Sequence, residues 1–301
     1  MEQTQKPVVL VIGATGLTGS FLIKEFDRDS SGVHVRLAAR RQEQVDRFKS
    51  EKRDAVLLDL DDPRSFGAAL SGVDRLFLVT GYTVAMLSQG KTLVNAAKKA
   101  AVSHIVHLGI FGNWDTTDPH FVWHQLIEKY IEASGIAWTH LHPNVFMELL
   151  PVLISIENDS FPVFWGPGRL GWTSSEELAA VTATVLKEGP DKHGGQDYWL
   201  SADVANGQEI AEIASEVLNR KITAELKRPE DFPEHMARTS PRFKVEPWYG
   251  AAILEFLKQV ADGRMGYIGT LRDDGPSVTG RPSMMLREWA GANRHRLEKV
   301  A

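Results

Sequence analysis

Three glycines, Gly13, Gly16 and Gly19, stand at three-residue spacing in the stretch VVLVIGATGLTGS, residues 8–20. Glycine lets a backbone turn sharply and come close to an anion. A helix that begins at such a turn offers free N–H groups and a positive dipole end to that anion. The chemistry is pyrophosphate binding, with Thr15, Leu17 and Thr18 as further contacts of the turn. Downstream, Arg40 and Arg41 close a short apolar run, and no acid lies between positions 33 and 42. A site for NAD places an acid there to accept from the ribose 2′-hydroxyl. Two guanidiniums instead suit a 2′-phosphate, through charge-assisted and bidentate hydrogen bonds. This predicts NADP(H), the alternative being solvated arginines at a strand end. Asp59, beside Leu60, is placed to accept from an adenine amino group or to serve as a helix N-terminal acid.

A second set of residues suits acid–base work and the lining of a pocket. His120 and His124 lie four apart with Glu128 four further on, so all three share one face of a helix. Two histidines at this spacing can bind a metal. With no third ligand and no H-E-x-x-H pattern, no metal is expected. Tyr82, Phe111, Trp114, Trp123, Phe146 and Trp165 offer aromatic surface to a planar substrate. Ordinary packing accounts for part of that aromatic content.

These residues need a scaffold that gathers them. Val8–Ile12 reads as a buried strand, and Leu17, Phe21, Leu22 and Phe26 recur at helical spacing after the glycines. Strand and helix signals then alternate through Val33–Ala39, 42–51, Ala55–Leu58, 62–70, Arg75–Thr80, a helix capped by Ser88, Ile105–Leu108, a helix opened by Asp118-Pro119 and ended by Gly135, and Ala137–Leu141. Six alternations predict an α/β fold, a Rossmann-type doubly wound parallel sheet. Ligands of such sheets lie at the carboxyl ends of the strands. Thr80, Gly81, Pro143, Asn144 and Phe146 fall at those ends and join the cofactor contacts. The expected division is a nucleotide-binding domain over 1–150 and, over 151–301, a smaller α+β substrate lobe with some segments returning to the sheet. Pro151, Pro162, Gly166, Pro167, Gly168 and Gly171 predict a loop-rich start to that lobe, followed by helices near 175–186, 206–218 and 248–261.

Composition narrows the function classes. The chain has 301 residues, 43% hydrophobic and 24% charged, with a net charge of −5, so no basic face invites nucleic acid. With no cysteine, disulfides, thiolate metal sites and thiol catalysis are excluded. No apolar run is long enough to span a bilayer. The polar opening MEQTQKP predicts no secretory signal. A cytoplasmic monomer or homodimer acting on a small molecule is expected.

Taken in order, GATGLTGS, VRLAARR, LDLDD, IVHLG and SGIAWTHLHPNVFMELL resemble the NmrA-like family of atypical short-chain dehydrogenase/reductases. VTGRPSMMLREWAGANR resembles that family's C-terminal segment, so the likeness spans nearly the whole chain. It implies NADP(H) and either reduction of a quinone, azo, imine or enone substrate, or a non-catalytic, NADP(H)-sensing regulatory role. The superfamily's Y-x-x-x-K relay is missing near 110–130, Gly109 stands where the relay's serine would be, and His142 replaces an arginine frequent before the proline. Relatives of the isoflavone reductase type carry a lysine on the helix from 119, and the matching residue is His124. The resemblance thus makes His124 the candidate proton donor, titrating near neutral pH with Glu128 to orient it. The alternative is a substrate-lining histidine, with the proton drawn from water.

Overall fold

The apolar run after the N-terminus forms β1 (Val8–Val11), a strand buried on both faces near the middle of an eight-stranded sheet. The computed structural model describes residues 6–240 and 244–298. β1 is followed by α1 (Leu17–Arg28), β2 (His34–Ala39), α2 (Gln42–Ser50), β3 (Asp54–Leu57), α3 (Phe66–Leu70), β4 (Arg75–Leu78), α4 (Met86–Lys99), β5 (His104–Leu108), α5 (Pro119–Ser134) and β6 (Ala137–Pro143). Next come β7 (Val145–Phe146), α6 (Leu150–Leu153), β8 (Ser160–Val163), β9 (Leu170–Thr173), α7 (Ser175–Glu188), α8 (Pro190–His193), β10 (Gln196–Ser201) and β11 (Asp203–Ala205). Then α9 (Gly207–Leu218), β12 (Thr223–Leu226), α10 (Phe232–Thr239), α11 (Pro247–Ala261) and β13 (Arg272–Asp273) follow, before short closing helices.

The large sheet runs β13-β10-β6-β5-β4-β1-β2-β3, and all its ladders are parallel except β10–β13. Strand side chains alternate between faces. Val9, Val11, Phe77 and Val106 join a core with α1, α2 and α7, while Leu10, Leu76 and Ile105 join one with α3, α4 and α5. The chain crosses from one face to the other between β1 and β4, and the crevice this opens is where such folds hold ligands. A third core, with Trp165, Trp172, Ile210 and Leu257, lies beneath the lobe sheets β11-β9-β7 and β12-β8.

Local signals explain most boundaries. Asp118 accepts from the backbone N–H groups of His120 (3.0 Å) and Phe121 (3.4 Å), Pro119 occupies the first turn of α5, and Gly135 ends it at φ 77°. Asn206 and Glu209 form a reciprocal capping box at the start of α9. Asp118 is fully buried and also meets His120 Nδ1 at 2.7 Å. Asp118→Ala is therefore expected to cost about 1–2 kcal/mol, seen as a lower denaturant midpoint at unchanged slope.

Three expectations are corrected. Ser88 does not cap α4: the helix starts at Met86, and Ser88 Oγ donates back to Ala85 O at 2.8 Å. The loop-rich stretch after 150 contains α6, β8 and β9. Pro162 is tolerated because β8 pairs with β12 alone, so its missing N–H faces no second ladder. The strand read as Ala137–Leu141 runs on to Pro143, because β10 pairs along its other side. Among the described residues no helix is long and apolar enough to cross a membrane.

Candidate functional site

The glycine turn is built without room for side chains. Gly13 sits at φ +71°, and a Cβ there would lie 2.7 Å from Val79 Cγ1. Gly16 N–H donates to Gly13 O at 2.8 Å. A Cβ on Gly19 would fall on the Gly13 carbonyl, so α1 packs directly on the turn. The first turn of α1 has no side-chain cap, which leaves its N-terminus to a ligand. These residues fit a pyrophosphate, with Thr15, Leu17 and Thr18 in the same turn. Arg40, just beyond β2, is exposed and in no ion pair among the described residues, whereas Arg41 pairs with Glu43 at 3.2 Å. Asp59 Oδ1 accepts from Asp61 N–H at 3.1 Å, shaping the loop after β3, and Leu60 packs on the neighbouring core.

Beside this turn lies a cavity of about 450 Å³, walled by Thr80, Tyr82, Gly109, Phe111, His124, Pro143, Phe146 and Trp165. Thr80 Oγ1 is buried there without a hydrogen-bond partner. Gly81 is exposed at the rim of the adjoining loop. Asn144 also borders the cavity, but its amide is committed elsewhere: Nδ2 donates to Ser201 Oγ (3.2 Å) and Ile268 O (2.9 Å), and Oδ1 accepts from Val145 N–H (2.9 Å). Two of the expected aromatic contacts are not brought to this wall. Trp114 is 77% exposed, under Lys129 Nζ, and Trp123 stacks on Trp248 at 4.1 Å. The loop after β5 leaves Trp114 in solvent, and the helical position of Trp123 packs it on the core beside α4 and α5 instead.

The opposite wall was not foreseen. Tyr249, Ile253, Phe256 and Leu257 of α11 close over the strand ends. Tyr249 stacks on Tyr82 at 4.1 Å and 14°, and Glu246 Oε2 accepts from Val84 N–H at 2.8 Å. Helical spacing of these apolar residues was visible in the sequence; what they covered was not.

The polar groups of the cavity are mostly neutral. His124 is 3% exposed, its Nε2 meets Tyr82 OH at 3.2 Å, and its Nδ1 has no partner. Burial, with His120 and His142 adding to it, pushes its pKa down to about 3. This corrects the expectation that His124 titrates near neutral pH. Burial also raises the Tyr82 phenol well above its ordinary range, with Tyr249 and Asp118 adding. His120 is held by Asp118, and no group of three or more metal-ligating side chains converges among the described residues.

A sequence profile of the NmrA-like family matches residues 5–244. The chain is 28% identical over 297 residues to an NAD(P)H azoreductase of Xenophilus azovorans, covering 95% of this chain and 98% of that one. The fold is shared with the triphenylmethane reductase of Citrobacter sp. complexed with NADP(H), at TM-score 0.82 and 21% identity over 97% and 100% of the two chains. It is shared too with NmrA, a negative transcriptional regulator in complex with NAD, at TM-score 0.74 and 17% identity over 96% of each chain.

Proposed function

Because the chain belongs to the NmrA-like family, we propose that it is an NADPH-dependent reductase of a small planar or hydrophobic substrate of the quinone, azo, imine or enone class. The observation that carries this reading is the aromatic cavity of about 450 Å³ whose wall includes Val79, the residue against which Gly13 of the glycine turn packs. Bound NADPH supplies a hydride at its nicotinamide ring. The chain's own residues do the rest. The Gly13–Gly19 turn and the start of α1 hold the pyrophosphate, and Arg40 takes the 2′-phosphate. Tyr82, Phe111, Phe146, Trp165 and Tyr249 exclude water and align a flat substrate. His124 stays neutral and offers its unpartnered Nδ1 to a polar atom of that substrate.

The relative named as an azoreductase supports the reductase reading at 28% identity. One feature favours a second reading, an NADP(H)-sensing regulator. No Y-x-x-x-K pair stands near 110–130, so the superfamily's usual relay is missing. NADPH oxidation against quinones, azo dyes, imines and enones separates the two. Tight NADPH binding with no turnover on any of them selects the regulator. For a reductase, His124→Ala is expected to raise KM about 5- to 10-fold with a smaller change in kcat, the loss of one hydrogen bond. A fall in kcat at unchanged KM would remove its assignment to substrate binding.

A further inference from the structure

A hydride reduction takes up one proton for each turnover, and neutral His124 is a poor source of it. One turn further along α5 lies Glu128, 7% exposed, its Oε1 without a hydrogen-bond partner. A Cβ on Gly109 would collide with this oxygen. The carboxyl therefore rests against a bare α-carbon, and that α-carbon belongs to the cavity wall. Behind Glu128, at 3.7 Å from its Oε1, is Nδ1 of buried His142. This Nδ1 also meets Ile110 O at 2.9 Å, and Nε2 meets Asp197 Oδ1 at 2.8 Å. Both ring nitrogens face acceptors, an arrangement that favours a proton on each. The Asp197 side chain is 46% exposed. A line of exchangeable groups thus runs from solvent to the back of the cavity wall at Gly109.

We propose that Glu128 is the proton donor of the reduction, delivering its proton past Gly109, and that His142 and Asp197 restore it from solvent. This assignment rests on the reductase reading. NADPH is oxidised and the substrate takes its hydride. The Glu128 O–H bond breaks as a bond to hydrogen forms on the substrate atom that gains negative charge. The Glu128 carboxylate left behind accepts the Nδ1 proton of His142. The ring keeps its Nε2 proton at Asp197, and it recovers the second proton once the imidazole turns to bring the bare Nδ1 to water beside Asp197, so the net uptake is one proton from solvent.

The surrounding charges suit the role. Burial raises Glu128 to about 7; among its neighbours, His142 and Lys129 lower it while Asp197 and Glu132 raise it. Burial disfavours the imidazolium at His142. The bond to Asp197, the charges of Glu128 and Asp197 and the Ile110 carbonyl outweigh that and raise it. The other histidines near this region stay neutral: burial holds His124 and His140 at about 3 and His107 well below its ordinary value. Lys129 and Glu132 pair with each other at 2.8 Å on the same helix.

The sign follows. Glu128 carries its proton below pH 7 and loses it above, so kcat falls as pH rises through about 7. The test compares wild type with Glu128→Gln and Gly109→Ala, using NADPH and a soluble benzoquinone, across pH 5.5 to 9. Glu128→Gln is expected to lower kcat about 100-fold or more, to remove the limb near pH 7 and to leave NADPH affinity unchanged. Gly109→Ala, which displaces the carboxyl, should do the same more weakly. Independently of turnover, pH-difference infrared spectra of wild type should show protonated-carboxyl C=O absorption that titrates near pH 7 and loses the Glu128 share in Glu128→Gln, the remainder belonging to Glu177, which burial also raises to about 7. Wild-type turnover with an unchanged pH profile in Glu128→Gln, or carboxyl absorption undiminished in that variant, overturns the Glu128 assignment alone. No wild-type turnover with this quinone or the wider panel overturns the reductase reading and the donor role with it.

Discussion

Gly19→Ala is expected to raise the dissociation constant for NADPH at least 100-fold. The added Cβ falls on the carbonyl of Gly13 and 2.8 Å from Ala14 Cα. Both are backbone, so no flexible side chain can yield. The turn must open, and α1 must move off the axis that aims it at the pyrophosphate. Losing two hydrogen bonds to a charged group, at about 1.5–3 kcal/mol each, exceeds the roughly 2.7 kcal/mol that a 100-fold loss represents. Overpacking adds about 1–3 kcal/mol of lost stability, so the melting temperature falls too. Fluorescence titration of NADPH on folded protein, held well below that temperature, reads the binding effect by itself. Gly67→Ala serves as the control, since nothing lies within 4 Å of its Cβ position. Binding by Gly19→Ala within threefold of wild type would mean that the turn does not hold the dinucleotide.

Arg40→Ala is expected to weaken NADPH binding about 10- to 100-fold, the worth of charge-assisted hydrogen bonds to a phosphate, and to leave NADH binding unchanged. The exposed guanidinium has no competing carboxylate among the described residues. Arg41→Ala should have a smaller effect, because Arg41 is already paired with Glu43. The Arg40 contribution also shrinks with salt, since exposed charges are screened over about 8 Å at physiological ionic strength. Equal loss of both nucleotides would show that Arg40 does not read the 2′-phosphate.

The nucleotide end of this site was legible because its signals are local. Strand, glycine turn and helix follow one another within residues 8–28, and Arg40 stands one residue past β2. Asp118-Pro119 and the Asn206–Glu209 pair announced their helices for the same reason. The substrate end was less legible because distant segments build it. Tyr82 follows β4 while its stacking partner Tyr249 is on α11, and no period or spacing links them. Glu128, His142 and Asp197 come from α5, β6 and β10, and only the sheet order sets them side by side. The aromatics show the same limit. Trp165 reached the cavity and Trp114 did not, although the sequence offered both as substrate contacts. The His124 pKa was misjudged because a sequence shows a residue's type and not its burial.

The last strand of the large sheet has a bearing on self-association. β13 spans two residues, runs against β10 and leaves hardly any ladder for a second chain to extend. At the other margin β3 is four residues long, and its Asp54 carboxylate is taken by His34 and Arg36. Short, charged margins are how sheets resist edge-to-edge growth and amyloid-like stacking. The two margins of the large sheet thereby offer little open ladder to another copy of the chain.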